Sequence, residues 1–196
     1  ASKKLLLVSA EVNSKFLDWE DRSTCVIFAD GAGAVVMEPT TGKHGILSTR
    51  LYSNGELWDL ITIPGGGSQH PPTEASVKKK MHFIQMKGNE TFRVAVKTLE
   101  QLVVDTLEAN KIKASQLSLL IPHQANIRII QATAKRLGLS MDKVFVNLEK
   151  YGNTSSASIP IALDEALRSN RIKEGDYIML EAFGSGLTWA SSLIRW

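Results

Sequence analysis

Short apolar runs open this chain, and longer amphipathic stretches follow. Leu5-Leu6-Leu7-Val8 and Cys25-Val26-Ile27-Phe28-Ala29 carry no polar interruption; runs of this length predict strands buried on both faces under other layers. Ala34-Val35-Val36-Met37 continues as a strand after Asp30-Gly31-Ala32-Gly33, and Gly45 to Leu51 adds another beyond the turn at Thr40-Thr41-Gly42-Lys43. A Gly/Pro-rich stretch through Pro64-Gly65-Gly66-Gly67 and Pro71-Pro72 predicts a surface loop. The period then changes: Phe92, Ala95, Val96, Leu99, Leu102, Val103 and Leu107 recur at helical spacing and predict a long helix ending near Asn110. Leu117 to Ile121 reads as a buried strand. Ile127, Ile130, Ala134 and Leu137 mark a helix stopped by Gly138. Val144 to Leu148 predicts a strand, Ile159, Leu163, Ala166 and Leu167 a third helix with Pro160 in its first turns, and Tyr177 to Glu181 and Leu187 to Ile194 two closing strands. The order β-α-β-α-β-α-β-β predicts an α/β fold, a mixed, mostly parallel five-stranded sheet flanked by helices, with ligands held at the C-terminal ends of strands. No long helical pattern occurs before residue 83, so the early strands read as the tail of a unit whose beginning lies elsewhere.

Composition narrows the class without choosing a function. The 196 residues, 43% hydrophobic and 22% charged, suit a soluble globular chain of one domain to one and a half. A net charge of +3 gives no argument for nucleic acid as a partner. No apolar run approaches the ~18 residues of a membrane span. One cysteine excludes an internal disulfide and a cysteine-based zinc site, which fits a reducing, cytoplasmic setting.

Most candidate motifs have plain readings. Asp30-Gly31-Ala32-Gly33 begins like a dinucleotide fingerprint, but Val36 stands where Gly is needed and a strand follows instead of a helix; tight strand packing explains the glycines. Cys25 reads as a small buried hydrophobe within a strand, not as a reactive thiolate at a helix N-terminus. Gly184-Ser185-Gly186 lacks the first glycine of a hydrolase elbow, where Phe183 stands. His44, His70 and His82 lack ligand spacing, so no metal site is expected. Lys78-Lys79-Lys80 reads as a solvated charge run. His123 taken alone reads equally well as a core histidine. Its company changes that: His123 follows a predicted strand, and thirty positions on stands Asn153 in Tyr151-Gly152-Asn153-Thr154-Ser155. A neutral His and an Asn at strand ends can point two donors at one carbonyl oxygen and stabilise an enolate.

Ile121-Pro122-His123-Gln124-Ala125-Asn126-Ile127-Arg128, Tyr151 to Ser158 and Leu180-Glu181-Ala182-Phe183-Gly184-Ser185-Gly186-Leu187-Thr188-Trp189 closely resemble the motifs of beta-ketoacyl-acyl carrier protein synthase III. Asp21-Arg22-Ser23-Thr24, Phe28 to Ala34 and Met86-Lys87-Gly88-Asn89-Glu90 support the resemblance, which runs the length of the chain. It implies a thiolase-like fold of two similar halves. Residues 1–42 would be the final strands of the N-terminal half and residues 43–196 the complete C-terminal half. It further implies condensation of an acyl-CoA primer, commonly acetyl-CoA, with malonyl-acyl carrier protein at the start of fatty acid synthesis. The coenzyme A and phosphopantetheine thioesters are then substrates, and no cofactor is covalently bound. The family's nucleophilic Cys has no counterpart here and is expected in an N-terminal half upstream of Ala1; the complete protein is expected to be a homodimer.

Residue by residue, the resemblance gives His123 and Asn153 the thioester oxygen, Phe183 the wall beside the malonyl carboxylate, and the Ser185 backbone N–H half of an oxyanion hole. Many relatives carry Gly at the Ser185 position. Asn126, Ala125, Gly88, Met86 and Phe92 would contact the pantetheine arm, with Arg22 near the coenzyme A nucleotide. Arg93, Arg128, Lys135 and Arg136 would meet the acidic carrier protein, the alternative being an ordinary solvated helix face. For the donor role His123 should be neutral, hence of low pKa. Two other readings stay open: a non-catalytic carrier-binding or assembly module of the same fold, and a relative making quinolones or polyketides. Exposed strand edges predict poor solubility for the chain by itself.

Overall fold

A computed structural model describes residues 3–196; Ala1 and Ser2 of the expected 1–42 unit lie outside the described residues. Strands β1 (Leu5–Glu11) and β2 (Gly31–Met37) pair antiparallel as a separate ribbon, Leu5 opposite Met37. Then come β3 (Gly45–Ser53), β4 (Ile61–Thr62), the short helix α1 (Glu74–Lys78), β5 (Gln85–Met86) and the long helix α2 (Gly88–Ala109). Beyond these lie β6 (Leu117–Pro122), α3 (Ile127–Arg136), α4 (Leu148–Tyr151), α5 (Ser158–Arg168), β7 (Tyr177–Gly184) and β8 (Thr188–Arg195).

The main sheet has the order β3-β8-β7-β6. Its two faces carry separate cores: Val103, Leu107, Ile130 and Met179 under α2 and α3, and Ile121, Ala162, Ala166 and Ile178 under α5. The sheet is mixed and flanked by helices, as expected of a thiolase-like α/β fold. It differs in count and balance. β3 with β8 and β8 with β7 are antiparallel, and only β7 with β6 is parallel.

The expected fifth strand at Val144–Leu148 is reduced to one parallel bridge between Leu120 and Val144. The buried side chain of Gln124 explains this. Its amide N–H donates to the carbonyls of Pro122 (2.8 Å) and Phe145 (3.2 Å), and its oxygen accepts from the Asn147 N–H (3.0 Å), so one side chain takes the bonds a ladder would have used.

Cys25–Ala29 also departs from expectation, forming turns instead of a strand. The Asp21 carboxylate accepts from the Ser23 N–H and from the hydroxyls of Ser23 and Thr24, and the Cys25 N–H donates to the Asp21 carbonyl. Side-chain capping of this kind bends the chain before a strand can start. Cys25 is accordingly half-buried in a turn, with Sγ 3.9 Å from the Trp19 carbonyl.

The β1–β2 ribbon is covered less than its composition suggests. Leu6 is 64% and Val36 65% exposed, so the expected burial of both faces does not hold. Its glycines, as anticipated, serve packing: a Cβ on Gly33 would lie 2.6 Å from the Cβ of Pro160, which lets the first turn of α5 rest on β2.

Candidate active site

His123 follows directly on β6, where its backbone N–H donates to the Glu181 carbonyl of β7 at 2.7 Å. Ser158, at the start of α5, places its hydroxyl 2.6 Å from Nδ1. The same hydroxyl oxygen accepts from the Gln124 N–H at 3.4 Å. When that hydroxyl donates to Nδ1, the ring N–H stands on Nε2. Desolvation by the surrounding protein pulls the His123 pKa down to about 4. The imidazole is therefore neutral at neutral pH, the charge state expected of a donor there.

Asn153 is set by the chain on both sides. Gly152 has φ +70°, and a Cβ there would meet that of Ala29 at 2.9 Å, so glycine is required. Asn153 then bridges to the 27–29 segment, its N–H donating to the Ile27 carbonyl at 3.0 Å and its carbonyl accepting from the Ala29 N–H at 2.8 Å. Its Oδ1 accepts from the Ser155 N–H at 2.9 Å, which leaves Nδ2 as the donor for a ligand.

His123, Asn153, Phe183 and Ser185 line a single cavity of about 640 Å³. Phe183 on β7 is buried with Ala95, Leu99 and Leu102 of α2 at its back. Of the residues expected to hold a pantetheine arm, Met86, Gly88, Phe92, Ala125 and Asn126 all reach this cavity, and so does Arg128. Asn126 also caps α3, its Oδ1 accepting from the Arg128 N–H at 2.8 Å; only its Nδ2 is left for a ligand. The Arg128 guanidinium sits over the Phe92 ring, 5.5 Å from its centroid.

The remaining expected residues lie elsewhere. Arg22 is exposed and off the wall, although its neighbour Ser23 is on it. Arg93 lines a different groove with Tyr52 and Trp189. Lys135 is exposed, and Arg136 is paired with Glu100 at 2.6 Å. Cys25 does not line the cavity. Among the described residues no group of three or more His, Cys, Asp or Glu converges as a metal site would require.

Residues 107–196 match the family description "3-Oxoacyl-[acyl-carrier-protein (ACP)] synthase III C terminal", and residues 1–55 match "3-Oxoacyl-[acyl-carrier-protein (ACP)] synthase III". The chain belongs to the beta-ketoacyl-[acyl-carrier-protein] synthase III family. It is 47% identical over 196 residues to the beta-ketoacyl-[acyl-carrier-protein] synthase III of Roseiflexus castenholzii, covering 100% of this chain and 59% of that protein. The crystal structure of the Aquifex aeolicus synthase III superposes with a TM-score of 0.87 at 47% identity, over 99% of this chain and 58% of the other. That of Thermus thermophilus gives 0.89 at 38% identity, over 100% and 60%. The chain thus spans about three fifths of the length of the synthase III proteins it matches.

Several residues of the site are not identifiable from sequence. Ser158 is 35 positions from the ring it touches, a pairing no local pattern reveals. Ile27, Phe28, Ile61, Ile63 and Ile84 give the cavity an apolar wall. Ile27 and Phe28 do stand out in the sequence as part of an apolar run, but such a run points to a strand and not to a cavity wall.

Proposed function

We propose that this chain supplies the enolate-forming part of a synthase III condensing site. The reading rests on one observation: His123, kept neutral by burial, and Asn153, with Oδ1 occupied by the Ser155 N–H and Nδ2 open, line the same cavity; the tautomer with the ring N–H on Nε2 is part of the proposal. A malonyl thioester whose carbonyl oxygen meets both donors loses CO2 as its C–C bond breaks. The bonding pair moves into the enolate, and the negative charge falls on the oxygen the donors hold. Phe183 provides an apolar surface that favours departure of a neutral product. The enolate carbon then attacks an acyl thioester, and collapse of that adduct expels a thiolate and leaves the beta-ketoacyl product.

Cys25 lies off the cavity wall, so the acylated thiol comes from outside this chain, in the remaining part of a synthase III protein. The Ser185 N–H supplies half of that acyl group's oxyanion hole. The reading carries with it acetyl-CoA as primer, malonyl-acyl carrier protein as extender, a homodimer, a cytoplasmic setting and a boundary near residue 42. Met86, Gly88, Phe92, Ala125 and Asn126 hold the pantetheine arm, and Arg22 lies toward the nucleotide. Arg128, with Arg93, Lys135 and Arg136, faces the carrier protein and sets its on-rate and salt sensitivity.

The test is decarboxylation of malonyl-acyl carrier protein by this chain together with a Cys-bearing N-terminal portion of a synthase III. His123→Ala and Asn153→Ala should each lower the rate on the order of a hundred- to thousandfold, the cost of one preorganised donor. Unchanged CO2 release in both variants would sink the reading and leave the carrier-binding module in its place.

A further inference from the structure

Ser185 sits between Gly184 and Gly186 in the turn from β7 to β8, and its hydroxyl is not spent within that turn. It donates instead to the Ile61 carbonyl at 2.6 Å. Ile61 begins β4, which pairs with β5 through Ile61 opposite Met86 and Thr62 opposite Gln85. Ile61, Thr62, Ile63, Ile84 and Met86 make this small ladder one wall of the cavity, while Ser185, Gly184 and Phe183 line it from the β7 side.

The wall is held at its base, where the Lys87 N–H donates to the Leu60 carbonyl at 2.9 Å and the Lys87 ammonium pairs with Asp59 at 2.5 Å. Its outer edge is tied back by the Ile84 N–H to the Phe16 carbonyl at 2.8 Å. A two-residue ladder is too short to be rigid by itself. The turn is already tied to the segment that leads into β4 by paired backbone bonds between Asn54 and Leu187 (2.8 and 2.9 Å) and by Leu60 packing in one cluster with Leu187; the Ser185 hydroxyl adds the bond to β4 itself.

We propose that the Ser185 hydroxyl is a latch, a positioning group that fixes the β4–β5 wall against the β7–β8 turn and so sets the width of the passage through which a thioester arm enters. The same bond holds the Ser185 backbone in one orientation. What passes through rests on the function proposed above; the latch does not.

Amide hydrogen exchange on this chain separates the two. In Ser185→Ala, peptides spanning 59–63 and 84–87 should exchange about fivefold faster, the equivalent of one ordinary hydrogen bond, with α2 and β6 unchanged. Ser185→Thr, which keeps the hydroxyl, should restore slow exchange, and Ser185→Gly provides a second hydroxyl-free variant should Ser185→Ala fold poorly. Coenzyme A should protect 84–88 in the wild type and bind about fivefold more weakly to Ser185→Ala. Unchanged exchange at 59–63 in the hydroxyl-free variants overturns the latch, whatever the function. Faster exchange with unchanged coenzyme A affinity overturns its control of the passage. A wild type that coenzyme A does not protect, with the exchange difference intact, counts against the pantetheine reading and leaves the latch standing.

Discussion

His123 and Glu181 are both desolvated, with opposite consequences for the pH dependence of folding. The native pKa of His123, about 4, lies below its ordinary 6.5, so stability is lost as pH falls between those values because only the unfolded chain takes up the proton. Glu181 is buried on β7 with no partner for Oε2, and burial pushes its carboxyl from 4.5 up to about 8. Its contribution is lost as pH rises from 4.5 to 8, because only the unfolded chain releases the proton. Between pH 4.5 and 6.5 the two slopes cancel, and above 6.5 Glu181 acts alone. These two groups therefore contribute a plateau and then a decline of about 2 kcal/mol from pH 6.5 to 8. Urea titrations across this range should show that decline in the wild type and lose it in Glu181→Gln; an unchanged slope in the variant would remove Glu181 as its cause. At this scale the sequence is informative where chemistry is local. His123 and Asn153 stand out because each sits in a short motif, whereas the Ser158 hydroxyl and the Ser185 bond to Ile61 join residues 35 and 124 positions apart.

The helices α2, α3 and α5 are legible because each hides one face against a flat sheet, which writes a 3.6-residue period into the chain. The closing strands are legible as well. The two apolar runs that fail as strands fail for a shared reason: a polar side chain, Asp21 in one case and Gln124 in the other, captures backbone groups that pairing would need. Hydrophobicity alone does not register such capture. Gln124→Leu should preserve the apolar volume while stranding the Pro122 and Phe145 carbonyls and the Asn147 N–H, at a cost of about 2–4 kcal/mol. Thermal and urea unfolding measure this. A loss under about 0.5 kcal/mol would mean that the segment 144–147 finds other partners.

The chain as a whole leaves much apolar surface uncovered. Leu5, Leu6, Leu7, Val8 and Val36 of the β1–β2 ribbon and Ile46, Leu47 and Leu51 of the β3 edge strand are all exposed. Such surfaces drive association. Sedimentation velocity should find this chain self-associating at micromolar concentration, and the Leu6→Lys, Val36→Lys double variant shifted toward monomer. A wild type that stays monomeric throughout would count against the ribbon as a sticky face. The order of elements alone makes the early residues look like part of another unit. It does not reveal how closely they are joined to the main sheet and its helices.

That junction limits how the two donors can be inherited. Asn153 owes its place to a bridge with Ile27 and Ala29, while His123 hangs from the sheet through Glu181. Transplanting residues 107–196 onto another scaffold would carry both side chains but only one of their two anchors. The His123–Asn153 pair is not a portable cassette: a chimera keeps its arrangement only when its crossover lies upstream of the 27–29 segment.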